Sequence, residues 1–331
     1  MLSVSDAPAG AALKSPFDLR DDSTYRMWRE AKLAAYPLRI EQAVVEVGDP
    51  RALTRAEHRA LLERCRRYNF AVYASAARRD PDKGIARLLG QQFGLTRLDC
   101  NWLADEDGIT TLAVSGGGDR HEYIPYTDRA IKWHTDGYYN RFERRIRAMV
   151  LHCVSDAASG GENALLDHEI AYILLRDANP EFVHALMAFD AMTIPARVDE
   201  AGVARGEETG PVFYVDEQTG DLGMRYTART RSIAWKQDAT TAAAVAHLAS
   251  VLANAPNVVR VRLDPGMGVL ANNVLHDRAA FHDEPGHRRV LYRARYYDRI
   301  AGTEGTALQA VAAATRNVVR ARAEEPSWRS C

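Results

Sequence analysis

The sequence predicts a mainly β fold with inserted helices, an α+β chain whose core is a double-stranded β-helix, or jelly roll, flanked by helices. Three observations predict it. Short strand-like runs dominate residues 130–297, and helical patterns are inserted among them without a regular strand–helix alternation. No glycine-rich loop of the kind that opens a doubly wound sheet is present. No repeat of solenoid or propeller length occurs. With 331 residues, 47% of them hydrophobic and 26% charged, the chain has apolar material for a large core. One domain spanning 1–331 is expected, with a loose arm over 1–22, a catalytic core over 130–297 and a C-terminal helix over 306–323.

The elements follow in order. Asp22 or Ser23 caps a first helix to about Ala35. Thr54-Arg-Ala-Glu57 is a capping box opening a helix to Tyr68. Phe70–Tyr73 is strand-like, and Asp82–Phe93 is a helix that Gly94 ends. Ile109–Val114 is a strand before the Gly116–Gly118 turn. Residues 130–138 and 146–154 are extended, and Gly160-Gly161 is a sharp turn. Asp167 caps a helix to about Asp177, and Asn179-Pro180 starts another. Pro211–Tyr226 reads as a hairpin around Glu217–Gly220. Thr240–Asn254 is helical. Val258–Leu263, Val269–His276 and Arg289–Tyr297 are strands.

Lys plus Arg total 43 against 44 Asp plus Glu, a net charge of -1, so nothing favours nucleic acid or an anionic membrane as a partner. Four cysteines without a CxxC pair fit a reducing compartment better than a disulfide framework or a structural zinc site. The first twenty residues lack a secretory pattern, and no window is long and apolar enough to span a membrane. A cytoplasmic protein acting on a small-molecule substrate is expected, with a homo-oligomer as the default assembly.

The chemistry starts at Trp133-His134-Thr-Asp136-Gly137. Residues two apart in a strand share a face, so His134 and Asp136 can offer a nitrogen and an oxygen to one point. Alone, His-x-Asp is most often an accidental polar pair. A facial metal triad needs one more histidine from another strand, and His276 ends an apolar run that could supply it. A histidine there is otherwise an ordinary hydrogen-bonded core residue. In the following strand Arg289, Leu291, Arg293 and Arg295 share a face. Three arginines on one face are either a solvated edge or an interior that binds carboxylates, since unpaired burial is costly.

The order His-x-Asp, roughly 140 residues, His, then Arg on the next strand is the pattern of a known family. With Gly160-Gly-Glu-Asn163-Ala-Leu-Leu166, Pro211-Val-Phe-Tyr-Val-Asp216, Met224-Arg-Tyr226 and His276-Asp-Arg-Ala-Ala-Phe281, the chain resembles the taurine dioxygenase-like iron(II)/2-oxoglutarate oxygenases. Within them it is most similar to the glutarate 2-hydroxylase (CsiD-type) branch. The resemblance implies Fe(II), 2-oxoglutarate as co-substrate, and dioxygen. It implies that His134, Asp136 and His276 hold iron, and that Arg289 pairs with the distal carboxylate of 2-oxoglutarate. Arg293 would face the co-substrate or the substrate, and Asn163 stands where relatives carry Ser or Thr against that carboxylate. The reaction implied is hydroxylation of a small anionic substrate, glutarate-like, with release of succinate and carbon dioxide, desaturation or ring closure being variants.

Tyr138 and Tyr139 directly follow the ligand pair and are substrate-binding candidates. Arg225, Arg229 and Arg231 could recognise an anion, against the plainer reading of a solvated basic loop. His282-Asp-Glu284 has no distal partner histidine and reads as a turn. A zinc hydrolase using the same ligands would need a general base and no Arg289. A non-catalytic 2-oxoglutarate sensor would bind without turnover.

Overall fold

The computed structural model of the protein describes residues 14–37, 39–100, 105–116, 123–199, 202–229 and 233–324. Most of the N-terminal arm, two glycines of the 116–118 turn, Arg231 and Cys331 lie outside the described residues. The described part of the arm is anchored: Phe17 is buried edge-on against Trp28 and Tyr172.

Helix α1 (Asp22–Ala35) begins at Asp21, whose carboxylate accepts from the Thr24 amide. Strand β1 (Val44–Val47), which the sequence did not announce, precedes α2 (Arg55–Tyr68). The capping box of α2 forms as expected, and Asn69 in the left-handed region (φ 59) ends the helix. Then come β2 (Phe70–Ser75), α3 (Gly84–Gln92), β3 (Thr110–Leu112), β4 (Ile131–His134), β5 (Ala148–Ser155) and β6 (Asn163–Leu166). Asp167 caps α4 (His168–Ala178), Asn179 caps α5 (Pro180–Leu186), and Asp238 caps α6 (Ala239–Asn254). Strands β7 (Val259–Val261), β8 (Met267–Ala271), β9 (Leu275–Arg278) and β10 (Val290–Tyr296) complete the two large sheets, helix α7 (Thr306–Glu324) follows them, and the remaining short strands form small separate ladders.

The expected jelly roll is not what forms. The long strands divide between a six-stranded sheet, ordered β1-β2-β8-β5-β10-β3, and a four-stranded sheet, ordered β7-β6-β9-β4. Both are open, and none of the smaller sheets closes either. With seven helices among the described residues, the fold is mixed α/β rather than a mainly β barrel. Alternation tells which residues face inward; it does not tell which strands pair or whether the end strands meet. The two sheets nevertheless share a core. Met149, Leu151 and Leu291 of the large sheet cluster with Leu165 and Leu275 of the small one. The opposite face of the large sheet, with Tyr73, Val150 and Ala294, packs on Leu61 of α2 and Leu89 of α3.

The run Val269–His276 is not one strand. It breaks at Asn272-Asn273, where Asn273 takes a left-handed backbone (φ 48), and it passes from the large sheet into the small one. That corner delivers His276 beside His134. A second tie joins the helices: Lys32 of α1 is buried between Asp167 and Glu169 at the start of α4, at 2.6 and 2.5 Å. Among the described residues no helix is long and apolar enough to cross a membrane.

Candidate metal centre

Strands β4 and β9 are antiparallel neighbours, and His134 lies directly opposite His276. Their ring centroids are 4.2 Å apart. Asp136 lies beyond the end of β4 in the following turn, so its alignment does not come from a continuing strand. Asn273 sets it instead. The Asn273 Oδ1 accepts from the Asp136 amide at 2.7 Å, and Nδ2 donates to the Asp136 and Ile146 carbonyls at 3.0 and 2.8 Å. Gly137 turns the chain away at φ 66, where a Cβ would stand 2.4 Å from Ile146 Cγ1. One ligand atom from each of His134, Asp136 and His276 falls within 4.8 Å of the others.

The donor set suits a metal. Nδ1 of His134 lies 2.9 Å from the Lys132 carbonyl and Nδ1 of His276 lies 2.9 Å from the Val274 carbonyl. A carbonyl only accepts, so each Nδ1 carries the proton and each Nε2 keeps a free lone pair. Burial, aided by the neighbouring His276, lowers His134 to about 3 and keeps it neutral. Burial alone would raise Asp136, but Arg293 and then Arg295 outweigh it and hold the carboxylate ionised. Its Oδ2 is buried without a hydrogen-bond partner, as an atom kept for a cation would be.

The arginine face of β10 points inward. Arg293 Nη1 donates to Asp136 Oδ1 at 2.9 Å, and Arg295 bridges Asp99, Tyr139 and, at 3.9 Å, the same Asp136 oxygen. Arg293 is thus engaged by the metal-binding carboxylate. Arg289 differs. It is 5% exposed, burial pushes it down to about 10, and no described carboxylate forms an ion pair with it. Its guanidinium lies 5.1 Å from the Phe281 ring and runs past Gly161, where a Cβ would stand 3.3 Å from Nε.

Arg278 completes this corner and was missed from sequence. It is buried on the other contact of Phe281, at 4.8 Å, and burial and then Arg289 push it down to about 9. It donates to the Thr127 and Arg129 carbonyls, and its Nε is orphaned. The signal was available: Arg278 is two residues from His276, hence on the same strand face. Asn163 sits opposite Arg278 in the ladder, donates to the Asp277 carbonyl at 3.1 Å, and has a buried Oδ1 without a partner. Two buried cations, with Asp128 and Asp283 near them but neither ion-paired to a described carboxylate, make a site for an anion.

Of the remaining candidates, Tyr139 joins the site through Arg295. Tyr138 stands edge-on to Tyr139 at 5.1 Å. Arg225 is taken up by the carbonyls of Tyr138, Met192 and Glu208 and braces the loop after β4. His282 pairs in a short outer ladder with Ser159.

Two histidines and one carboxylate on a buried face, each imidazole turned with Nδ1 to a carbonyl and Nε2 toward the common point, define a mononuclear non-haem iron oxygenase. The chain belongs to the taurine catabolism dioxygenase TauD, TfdA family, which it matches over residues 32–295. It is 28% identical over 277 residues to a uridine-5'-phosphate dioxygenase of Amycolatopsis, covering 78% of this chain and 97% of that protein. A uridine-5'-phosphate dioxygenase of Streptomyces is 30% identical over 200 residues, or 57% of this chain and 69% of that one. In fold it is similar to an asparagine oxygenase solved with Fe(II), 3-hydroxyasparagine and succinate, at TM-score 0.52, 16% identity, and coverage of 83% and 92%. The PvcB protein of Pseudomonas aeruginosa superposes at TM-score 0.53, 17% identity, and coverage of 77% and 85%.

Proposed function

We propose that this chain is an iron(II)/2-oxoglutarate-dependent oxygenase of a small phosphorylated nucleoside. One observation carries the co-substrate: the buried guanidinium of Arg289, without an ion pair among the described residues, just before the strand whose first inward arginine holds the metal carboxylate. Iron(II) with 2-oxoglutarate supplies oxidative decarboxylation coupled to substrate oxidation, releasing succinate and carbon dioxide. The chain's own residues do the rest. His134 and His276 would bind the metal through Nε2, and Asp136 through a carboxylate that Arg293 keeps ionised. Arg289 would take the distal carboxylate of 2-oxoglutarate, with Arg278 supporting the positive potential and Asn163 at its side. The Phe281 ring, beside both guanidiniums, would shield that pair from water.

The substrate reading is supported by the curated relatives, both named for uridine 5'-phosphate. The motif resemblance to glutarate hydroxylases supplies the competing dicarboxylate. Succinate release with iron(II), ascorbate and 2-oxoglutarate in the presence of uridine 5'-monophosphate, other nucleotides, glutarate or amino acids decides between them. Nucleotide-dependent succinate is expected; stimulation by glutarate alone overturns the nucleotide reading. For the co-substrate, Arg289→Leu leaves a bound carboxylate unpaired, a loss of about 2–5 kcal/mol, or at least about 30-fold in the 2-oxoglutarate constant. Anaerobic titration followed by the absorbance of the iron chelate measures it. Wild-type titration by this variant would remove Arg289 from the site.

A further inference from the structure

The metal carboxylate has a second guanidinium close by that does not bond to it. Arg293 Nη1 donates to Asp136 Oδ1 at 2.9 Å and occupies that oxygen. Arg295 Nη1 stops 3.9 Å from the same oxygen, and Asp136 Oδ2 is buried without a hydrogen-bond partner. A forked cation this near a buried carboxylate ordinarily closes on it with two parallel bonds. Asp99 holds Arg295 back. The Asp99 Oδ2 accepts from Arg295 Nη2 at 2.5 Å, while Nη1 of the same fork donates to the Tyr139 hydroxyl at 3.0 Å. Burial opposes the charge of Arg295, and Tyr139, Asp136 and Asp99 together more than offset it.

Asp99 is itself buried and fixed. Its amide donates to the Arg295 carbonyl at 2.8 Å and Leu98 bridges Tyr296, so this short stretch rides along the end of β10. Its Oδ1 accepts from the Tyr297 hydroxyl at 2.5 Å, and that hydroxyl accepts from Arg144 at 2.8 Å. Among the described residues the two inward arginines are thus matched one to one by carboxylates, Arg293 by Asp136 and Arg295 by Asp99.

We infer that Asp99 is a positioning residue of the metal centre: by pairing with Arg295 it keeps that guanidinium off Asp136 and leaves the carboxylate available to a divalent cation. The inference rests on the reading of His134, Asp136 and His276 as metal ligands. Asparagine at position 99 would leave the charge of Arg295 uncompensated in a buried site, with Asp136 as the remaining carboxylate at 3.9 Å. The guanidinium would then compete with the metal for Oδ2 and repel it.

Co(II) titrated into the metal-free protein, followed by its visible absorption, tests this. Asp99→Asn should weaken Co(II) binding about tenfold or more, the range over which groups behind a metal ligand act. Arg295→Gln should bind Co(II) at least as tightly as the wild type, because the competing cation is gone and Arg293 still pairs with Asp136. The double variant Asp99→Asn/Arg295→Gln should return to within about twofold of wild type, since the asparagine does harm only while the guanidinium is present. An Asp99 that merely supports the fold predicts no such rescue, and a double variant as weak as Asp99→Asn overturns the inference. Should Asp99→Asn not fold, Arg295→Gln carries the test: weaker Co(II) binding by that variant overturns the inference equally. Asp136→Ala separates the inference from its premise. Wild-type Co(II) binding by Asp136→Ala removes the ligand reading and the role of Asp99 with it. Loss of binding in Asp136→Ala beside wild-type affinity in Asp99→Asn overturns the role of Asp99 alone.

Discussion

Asn273 connects sequence, strain and chemistry at a single position. A non-glycine residue in the left-handed region is uncommon, and asparagine is among those that tolerate it best. Here that backbone turns the side chain onto both the amide and the carbonyl of Asp136. Asn273→Ala removes the three bonds and leaves the Asp136 amide without its acceptor. Partners that orient a metal ligand typically matter about 10–100-fold in metal affinity, and that loss is expected for Co(II) or Mn(II) titrated against the protein. Unchanged affinity would show that the turn holds Asp136 unaided. The three ligands were legible because His-x-Asp and a late histidine follow a recognisable order. Asn273 was not, because nothing in an apolar run such as Val269–Leu275 tells that its polar members grip a residue roughly 140 positions away. Arg293 was legible as inward-facing, yet its partner emerges only in the folded chain, since alternation gives a face and no distance.

At the scale of elements, the helices were the most readable part. Thr54 with Glu57, Asp167, Asn179-Pro180 and the Thr240 region carry cap chemistry that acts within one turn, and each helix starts within a residue or two of its signal. The strands were harder. Their inward faces were right along β10, but the corner at Asn272-Asn273 and the partition into two open sheets depend on contacts distant in sequence. Strand β1 is only four residues long and gave too little alternation to register. The Lys32 tie between α1 and α4 was equally invisible, since a lysine in an amphipathic helix reads as a solvated residue. Removing one partner of a buried ion group leaves uncompensated charge, here two carboxylates. Lys32→Met should therefore destabilise the protein by about 3–5 kcal/mol, measured by urea unfolding, while Lys14→Met at an exposed pair should change little. A Lys32→Met protein as stable as wild type would mean that Asp167 and Glu169 find other relief.

For the whole molecule, the buried histidines tie stability to pH. Burial lowers His134 to about 3 and His152 to about 4, against an ordinary 6.5. The unfolded chain takes up these protons near pH 6.5, and the folded chain does not until about 3 and 4. The unfolded state thus binds more protons across that window, and the metal-free protein loses stability as pH falls through it. The slope approaches about 1.4 kcal/mol per pH unit for each histidine. Urea midpoints between pH 7 and pH 5 should show it, and His152→Gln should flatten it by one histidine's share; an unaltered slope would remove His152 from the account. The pairing of β4 with β9 also has a consequence for biosynthesis. His134 and Asp136 leave the ribosome roughly 140 residues before His276, on the order of ten seconds at ~5–20 residues per second. During that interval the nascent chain has only two of its three ligands, and the strand that must lie beside His134 has not been made. Iron is therefore acquired after the last strands have been translated and the corner at Asn273 has closed. Loading the metal is a late step of maturation, open to competition among whatever divalent ions the newly finished chain meets.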